Sequence, residues 1–530
     1  MNTKIISSAP KHPEYINSYP VWETIDDCLL GQDRIKLMGE KYLKKTIGMS
    51  ADPVHGDAAY FQYKEVATFP EYPLDYLLQL NGLLWQREPQ LSLPDEMDSV
   101  FIPSPSYDAS KSFMDVYHET SDFVLKYARH GILLDPPANS LGIDTYPRMV
   151  QYNAYQIIHW GTDTYKGQQV VKFILLDESS YTYNNSDLSQ KPEYKYRFLG
   201  LKTRDEQGNE LDTPVYYTYV SYGNFDGAIF DPPFDPSKSE IEYMGKIITF
   251  PNINGTYMDV IPFFCFGATS MRLSPERPII YPLCECSLDI YKLSADYRMY
   301  LYKQGFAILF GTGFSLDSGD IYVGTQKAVL VENKDAKLSY VSTDGVGLSE
   351  YRLALENLHK NAINIGINLF KSSGDETGQS VLRHTTLKTA SLKSIATTMA
   401  YGFTCICKTA ARWRGLPESE IDSIEVIPNL EFSSAGGDTA SLMNMYGVYS
   451  GSSTVLTPFD MYCWLRKNDL TPYNSFEEWE KAIEAQKKQK LEEKIASMSL
   501  ENNLNKTSTS ITDEDPITSN LIDNKAKIGK

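Results

Sequence analysis

The chain has no apolar run approaching the roughly 20 residues that a membrane-crossing helix needs, so no membrane association is expected. Its first residues, Met1-Asn2-Thr3-Lys4, lead into polar sequence with proline and histidine and lack a signal-peptide core. Synthesis in the cytosol is the expectation. Cysteine is scarce, odd in number at 7, and irregularly spaced over 530 residues, which argues against a disulfide framework. Histidine is equally scarce, and His159, His359 and His384 stand without His or carboxylate neighbours at metal-ligand spacing. Basic residues are in deficit: 50 Lys and Arg face 68 Asp and Glu, a net charge of -18. Simple nucleic-acid binders carry a basic patch that displaces counterions from phosphates, so that class is disfavoured. An acidic chain can still handle DNA that must slide and not stick.

What the chain does have is tyrosine, 37 of them. A tyrosine buries its ring and keeps its hydroxyl wet, which suits either large subunit interfaces or a Tyr-rich β-domain. The length suggests about two to four domains. Two Cys-x-Cys pairs, Cys284/Cys286 and Cys405/Cys407, fall in helical stretches, where residues two apart face different sides. They read as small buried residues and not as a metal site.

Residues 1–130 read mainly as helices. Tyr60 to Gln86 is rich in apolar residues and broken by Pro70 and Pro73, and Phe113 to His130 is amphipathic through Phe113, Val116, Tyr117, Phe123, Val124 and Tyr127. Residues 131–270 change to short β-type runs bounded by turn residues: Ile132–Leu134, Ile157–Trp160, Val170–Leu176, Tyr194–Leu201, Val215–Tyr222 and Ile261–Phe266. Strands without intervening helices exclude a Rossmann-like sheet. A helix is then predicted after Pro282 to about Tyr302, with Leu283, Cys286, Ile290, Leu293, Tyr297 and Leu301 at spacings of three and four, and Gly305 stopping it. A glycine-punctuated β-insert follows over 304–347. The next helix carries an a/d seam of Tyr351, Leu355, Leu358, Ala362, Ile365 and Leu369, with Ser349 as N-cap. After a polar loop, a long helix from Gln379 to Arg414 bears the stripe Leu392, Ile395, Met399, Phe403, Ile406, Ala410 and Trp413, ended by Gly415 and Pro417. Ile424–Ile427 reads as a strand, Thr457-Pro458 as a helix start, and Ser475-Phe-Glu-Glu478 as a capping box opening a last helix. Residues 500–530 carry almost no core-forming side chains and read as disordered.

Catalytic motifs are weak. Gly311-Thr-Gly313 lacks a third glycine and a βαβ setting, Gly374–Gln379 lacks the Lys-Ser/Thr end of a P-loop, and no Gly-x-Ser-x-Gly elbow occurs. Asp177 and Glu178 are adjacent at a strand end, where neighbours point to opposite faces, so they read as turn residues and not as a glycosidase pair.

The order helix, β-insert, helix, polar loop, long helix is specific. Several stretches share it with one family: Lys36-Leu-Met-Gly-Glu-Lys-Tyr-Leu43, Tyr60–Phe69 leading into Leu80–Trp85, His130-Gly-Ile-Leu-Leu-Asp-Pro136, Tyr155-Gln-Ile-Ile-His-Trp160, Pro282–Arg298, and Asp375–Ser380 followed by Ser391–Ile395. Over about residues 12–480 the chain resembles the portal proteins of tailed bacteriophages, in a branch often described only as a domain of unknown function. One departure is the segment Tyr155–His159, which lacks the arginine that such proteins often place before the early strand's tryptophan.

The resemblance implies an α+β portal fold: a wing over 1–275, a first stem helix over 276–303, a clip over 304–347, a second stem helix over 348–370, a channel loop over 371–379, a long helix and wing strand over 380–456, and a helical crown over 457–499. The stem residues would be Leu283, Ile290 and Tyr297 with Tyr351, Leu355, Leu358, Ala362 and Ile365. Phe314, Asp317, Asp320, Tyr322, Lys327, Lys334 and Lys337 of the clip would take partners. Lys371, Ser372, Ser373, Gly374, Asp375, Glu376 and Thr377 would line the channel.

It further implies a non-enzymatic ring of about twelve copies at the capsid's portal vertex. No cofactor or metal is expected. The partners would be double-stranded DNA in transit, the large terminase, a head-completion or tail adaptor protein, and the major capsid and scaffolding proteins. The alternatives are a β-rich tail or receptor-binding virion protein, which has no need of the helix–insert–helix order, and a cytosolic hydrolase, favoured only by unassigned carboxylates.

The channel loop generates a test. Lys371 can meet a phosphate while Asp375 and Glu376 repel the backbone, which prevents sticking. Replacing Asp375 and Glu376 with Lys is expected to leave ring assembly intact and to slow DNA packaging, more so at low salt where screening is weak. Unchanged packaging rates at every salt concentration would remove this loop from the DNA path.

Overall fold

The computed structural model describes residues 9–108, 110–135, 146–183, 189–253, 256–305, 308–312, 335, 337–341, 347–366, 378–430 and 432, with 459, 462, 466, 475–485 and 488 near the C-terminus. These divide into two compact units, residues 1–432 and 433–530.

The first unit opens on helices: α1 (Pro13–Leu29), α2 (Gln32–Met38), α3 (Ile47–Ala51), α4 (Gly56–Val66), α5 (Tyr72–Leu84), α6 (Asp95–Val100) and α7 (Phe113–Tyr127), with a short strand β1 (Gln90–Ser92) before α6. The Tyr60–Gln86 stretch is broken at its prolines as expected, α4 ending at Val66 and α5 starting at Tyr72, with Pro73 in the first turn of α5, where its missing N–H has no partner to lose. The amphipathic stretch at Phe113 is α7. It begins in a full capping box, in which Asp115 N–H donates to Ser112 Oγ at 3.3 Å and Ser112 N–H to Asp115 Oδ2 at 2.8 Å.

The β-rich region supplies β2 (Arg129–Asp135), β3 (Arg148–Asn153), β4 (Ile157–Tyr165), β5 (Gln168–Asp177), β6 (Ser180–Tyr183), β7 (Gln190–Glu193), β8 (Lys195–Arg204), β9 (Glu210–Tyr222), β10 (Glu240–Tyr243), β11 (Lys246–Thr249), β12 (Asn252–Ile253), β13 (Thr256–Tyr257) and β14 (Phe263–Gly267). The main sheet is antiparallel with order β10-β11-β9-β8-β5-β4, and a second has order β14-β2-β3. All six predicted strands are present; β3, β6, β7 and β10 to β13 were not foreseen. Much of the tyrosine excess is spent here. Tyr196, Tyr216, Tyr217 and Tyr219 are fully buried, and Tyr217 donates to Ile229 O at 2.9 Å while Tyr219 accepts from Ile229 N at 2.9 Å.

The chain then runs through α8 (Tyr281–Gly305), β15 (Ile308–Thr312), β16 (Lys337–Val341), α9 (Leu348–Gly366), α10 (Gly378–Arg414), α11 (Glu418–Asp422) and β17 (Glu425–Ile427), which pairs with β1. The fold class is mixed α+β. Ser349 lies inside the first turn of α9, because the helix opens at Leu348, so it does not cap from outside.

The predicted stripe of α10 is the core of this unit. Leu392, Ile395, Met399, Phe403, Ile406 and Ala410 are buried, and Trp413 is half-buried. Each large apolar side chain buried this way contributes about 1.5–3 kcal/mol. Phe403 meets Phe113 and Tyr117 of α7 at 5.3 and 4.5 Å between ring centres, and Phe266 of β14 at 5.3 Å. Beside it, a Cβ on Gly402 would fall 2.3 Å from the Phe266 ring, so only glycine lets α10 come this near the sheet. The helix ends in a Schellman motif, with Leu416 N–H donating to Ala411 O at 3.1 Å and Gly415 N–H to Arg412 O at 3.0 Å.

In the second unit, Tyr462 and Trp479 form a small buried cluster with Phe476 and Ile483. Glu478 N–H donates to Ser475 Oγ at 3.3 Å, the cap expected there. Thr457, Pro458 and the tail 500–530 lie outside the described residues.

One buried group makes the first unit sensitive to acid. His130 on β2 is stacked against Phe123 at 4.9 Å, and neither ring nitrogen has a hydrogen-bond partner. Burial pushes its imidazole down to about 3. An unfolded imidazole titrates near about 6.5, so between the two values the unfolded chain binds the extra proton. Stability therefore falls as the pH drops through this window. The denaturation midpoint of His130→Leu is expected to fall less steeply than that of the wild type between about pH 6.5 and pH 4. Equal slopes would show that His130 does not stay neutral in the fold.

Candidate functional site

The candidate site is the α8–β15–β16–α9 element and the helix α10 behind it. Its inner end is fixed by the N-terminal helices. Ser294 Oγ accepts from Thr68 N at 2.9 Å and sits 3.1 Å from Thr68 O. Tyr63 on α4 donates to Asp296 Oδ1 at 2.5 Å, and Arg298 Nη1 to Val66 O at 3.0 Å. On α9, His359 Nδ1 lies 2.8 Å from the Tyr72 hydroxyl of α5.

The two helices pack on each other in antiparallel fashion. Cys286 Sγ donates to Leu358 O at 3.5 Å near one end, and the Tyr300 and Tyr351 rings stack at 6.1 Å near the other. Leu283 and Ile290 are buried, Tyr297 is half-buried, and Tyr351, Leu355 and Leu358 are half-buried. Ala362 closes the seam at 2% exposure, whereas Ile365 is 42% exposed and does not belong to it. Between the helices, β15 and β16 pair from Ile308 opposite Val341 to Thr312 opposite Lys337. The chain thus leaves α8 and returns to α9 through the base of one antiparallel hairpin.

Of the predicted partner-binding residues, Lys337 is exposed at the outer end of this ladder. Phe314, Asp317, Asp320, Tyr322, Lys327 and Lys334 lie outside the described residues, as do Lys371–Thr377 of the polar loop. The outward face of α9 carries Arg352, Glu356 and Lys360, all exposed, with Leu353 half exposed among them. Such a face offers charge of both signs and no cluster of reactive groups. Among the described residues, no group of three or more His, Cys, Asp or Glu is placed to hold a metal ion, and no helix is long and apolar enough to cross a membrane. The Cys-x-Cys residues sit on α8 and α10, with Cys284, Cys286 and Cys407 buried and Cys405 half-buried.

Two charged centres escaped the sequence reading, because their members are far apart in the chain. The first is Arg197 on β8. It meets Asp135 Oδ1 at 3.1 Å and Glu178 Oε1 at 2.6 Å, while Lys195 reaches Glu178 Oε2 at 2.7 Å and the Tyr152 hydroxyl donates to Glu178 at 2.6 Å. Burial would raise the Glu178 carboxyl, but Arg197 and Lys195 outweigh it and hold it low; for Asp135 burial wins and the carboxyl is raised. Asp177 accepts from Ser179 N at 3.0 Å and is the turn residue expected, while Glu178 belongs to this network. The second is Arg129 on β2, 1% exposed. It donates to Ile157 O and Leu273 O at 3.2 and 2.8 Å and lies 4.3 Å over the Trp160 ring, whose indole also stacks with His12 at 3.9 Å. The segment before Trp160 has no arginine, but a guanidinium reaches this ring from β2.

Residues 280–414 are similar to a family described as a domain of unknown function, DUF4055. The matched span begins one residue before α8 and ends with the last residue of α10. No curated protein matches the chain.

The Arg197 network is internally compensated, which makes it a fastener and a poor acid–base pair. Removing the shared cation with Arg197→Leu strips Asp135 of its ion pair and leaves Glu178 with Lys195 alone, and is expected to cost about 3 kcal/mol at pH 7. The loss should shrink as the pH falls and the stranded carboxyls take up protons. Chemical denaturation at pH 7 and pH 4.5 checks this; an equal loss at both would mean the loss does not come from charge.

Proposed function

We propose that the chain is a portal-type protein of a tailed bacteriophage, forming a ring-shaped channel at one capsid vertex through which DNA is packaged, retained and ejected. One observation carries the reading. The antiparallel pair α8–α9, bridged by a β-hairpin and followed by the long buried helix α10, has the part order of a portal stem, clip and wing, and it coincides with the span of family similarity.

In this reading α8 and α9 are the stem legs, held at their inner end by α4 and α5. The β15–β16 hairpin belongs to the clip, which docks the large terminase during packaging and an adaptor or tail protein afterwards. The mixed charge on α9 suits contact with a neighbouring copy, since opposite charges can be matched across a closed ring. The loop 371–377 connects the second leg to α10 and would face the channel, where a net-acidic protein resists sticking to phosphates. The capsid and scaffolding proteins would surround the wing.

Mass measurement of the purified full chain tests this directly. Twelve copies of a 60.0 kDa chain give a closed particle of about 0.7 MDa. Electron microscopy of that particle should show a central hole. A stable monomer or trimer across micromolar concentrations would refute the portal reading.

A further inference from the structure

The first turn of α1 is closed by an unusual cap. Helices open best on Ser, Thr, Asp or Asn, whose side-chain oxygen accepts from a free backbone N–H. Here the acceptor is an imidazole: Glu14 N–H donates to His12 Nδ1 at 3.2 Å. A ring nitrogen accepts only while it carries no proton. The same residue joins α1 to the edge strand of the main sheet. His12 N–H donates to Ile158 O of β4 at 2.9 Å, and the His12 ring stacks on Trp160 at 3.9 Å. The helix cap and the attachment to the sheet therefore depend on one residue.

The surroundings oppose a positive charge on that ring. The Arg129 guanidinium lies 4.3 Å over the same Trp160 indole, and the His159 ring meets His12 edge-on at 5.5 Å. Glu14, in the first turn of α1, pulls the other way. Asp259 and Arg272 line the cavity that His12 borders and bring one charge of each sign. Burial holds the His12 imidazole below its ordinary range; Glu14 works against this, while His159 and Arg129 add to it. A histidine held in this way is neutral when docked and takes up its proton more readily once released. By linkage, the released state gains as the pH falls. The cavity beside it, about 930 Å³, lies between the main sheet and the second sheet, with Ile174 of β5 and Phe263 and Cys265 of β14 among its walls. Trp160 is 5% exposed at its border, under the His12 ring.

We propose that protonation of His12 unlatches the first turn of α1 from β4 and uncovers Trp160 at the border of this cavity. A proton on Nδ1 removes the cap acceptor and places a second cation beside the indole that Arg129 already covers. The rest of α1 stays in place, because Tyr15 and Trp22 are buried and the Trp22 indole donates to Tyr127 O at 3.2 Å. The latch is local and does not depend on the ring reading above.

Hydrogen exchange of the full chain tests it, read on a peptide covering the first turn of α1 and corrected for the intrinsic pH dependence of exchange. Between about pH 7.5 and about pH 5, which bracket the ordinary histidine range, protection of the first-turn amides is expected to fall. The fall should be about three- to thirtyfold, the range that loss of a side-chain cap spans. His12→Asn supplies a cap acceptor that does not titrate, so its protection should change by less than about twofold over the same range. The far-UV circular dichroism of both proteins should keep its helical signal at the lower pH, which separates release from unfolding. Flat protection in the wild type, an equal fall in His12→Asn, or loss of the helical signal together with the fall overturns the latch.

Discussion

The seat of α10 on β14 is the contact from which the first unit takes its arrangement. The absence of a side chain at Gly402 brings the helix onto Phe266, and Phe403 then reaches α7 on the other side. Because β14 pairs with β2, and β2 follows directly on α7, one helix orders three elements from distant parts of the chain. Further ties run along its length: Ser394 Oγ donates to Ala268 O at 3.2 Å, and Thr404 Oγ1 accepts from Val426 N at 3.0 Å. The link from β14 to α8 is drawn tight by Glu276, which accepts from Thr269 N at 2.8 Å and Ser270 Oγ at 2.6 Å. The start of α8 is thereby set by the same seat.

From that start, α8 changes character along its length. Leu283, Cys284, Ser287, Ile290 and Tyr291 are buried, whereas Leu301 and Tyr302 near its far end are exposed. The polar ties from α4 and from residues 66–68 meet it at Ser294, Asp296 and Arg298. Packing fixes position coarsely and hydrogen bonds fix rotation, so the first half of α8 is rigidly held. Its outer portion pairs with α9 through Tyr300 and Tyr351. In the portal reading, differences between neighbouring copies would be taken up at the outer end, nearest the clip.

Much of this was legible in the sequence where the signal is periodic. The stripe of α10, the seam of α9 down to Ala362 and the six strong strands all follow from local spacing of apolar residues. Ile365 continues that spacing yet is exposed, because periodicity marks a face and cannot say how far the opposing element extends. β3 was missed because Arg148–Asn153 holds only three apolar residues, Met149, Val150 and Tyr152, and these do not alternate cleanly with polar ones, so its place depends on pairing with β2. The Arg197 network was illegible for a different reason: Asp135, Glu178 and Arg197 are brought together only when β2, the end of β5 and β8 converge. Arg129 carries no local signal either, since nothing near it in the sequence predicts that Trp160 and two carbonyls will enclose it. The clip and loop assignments rested on resemblance alone and fall largely on residues outside the described structure.

The notch at Gly402 has a mechanical consequence. Helix α10 spans 37 residues, about 55 Å at 1.5 Å per residue. An axial shift of one turn would bring the side chain of Thr398 or Ile406 to the place that Gly402 leaves for Phe266. Each would collide with a ring already buried on all sides. A push applied at the loop end of α10 therefore cannot be absorbed by sliding. Phe266 on β14 blocks that slide, and β14 is itself tied to the start of α8 by the connection that Glu276 holds.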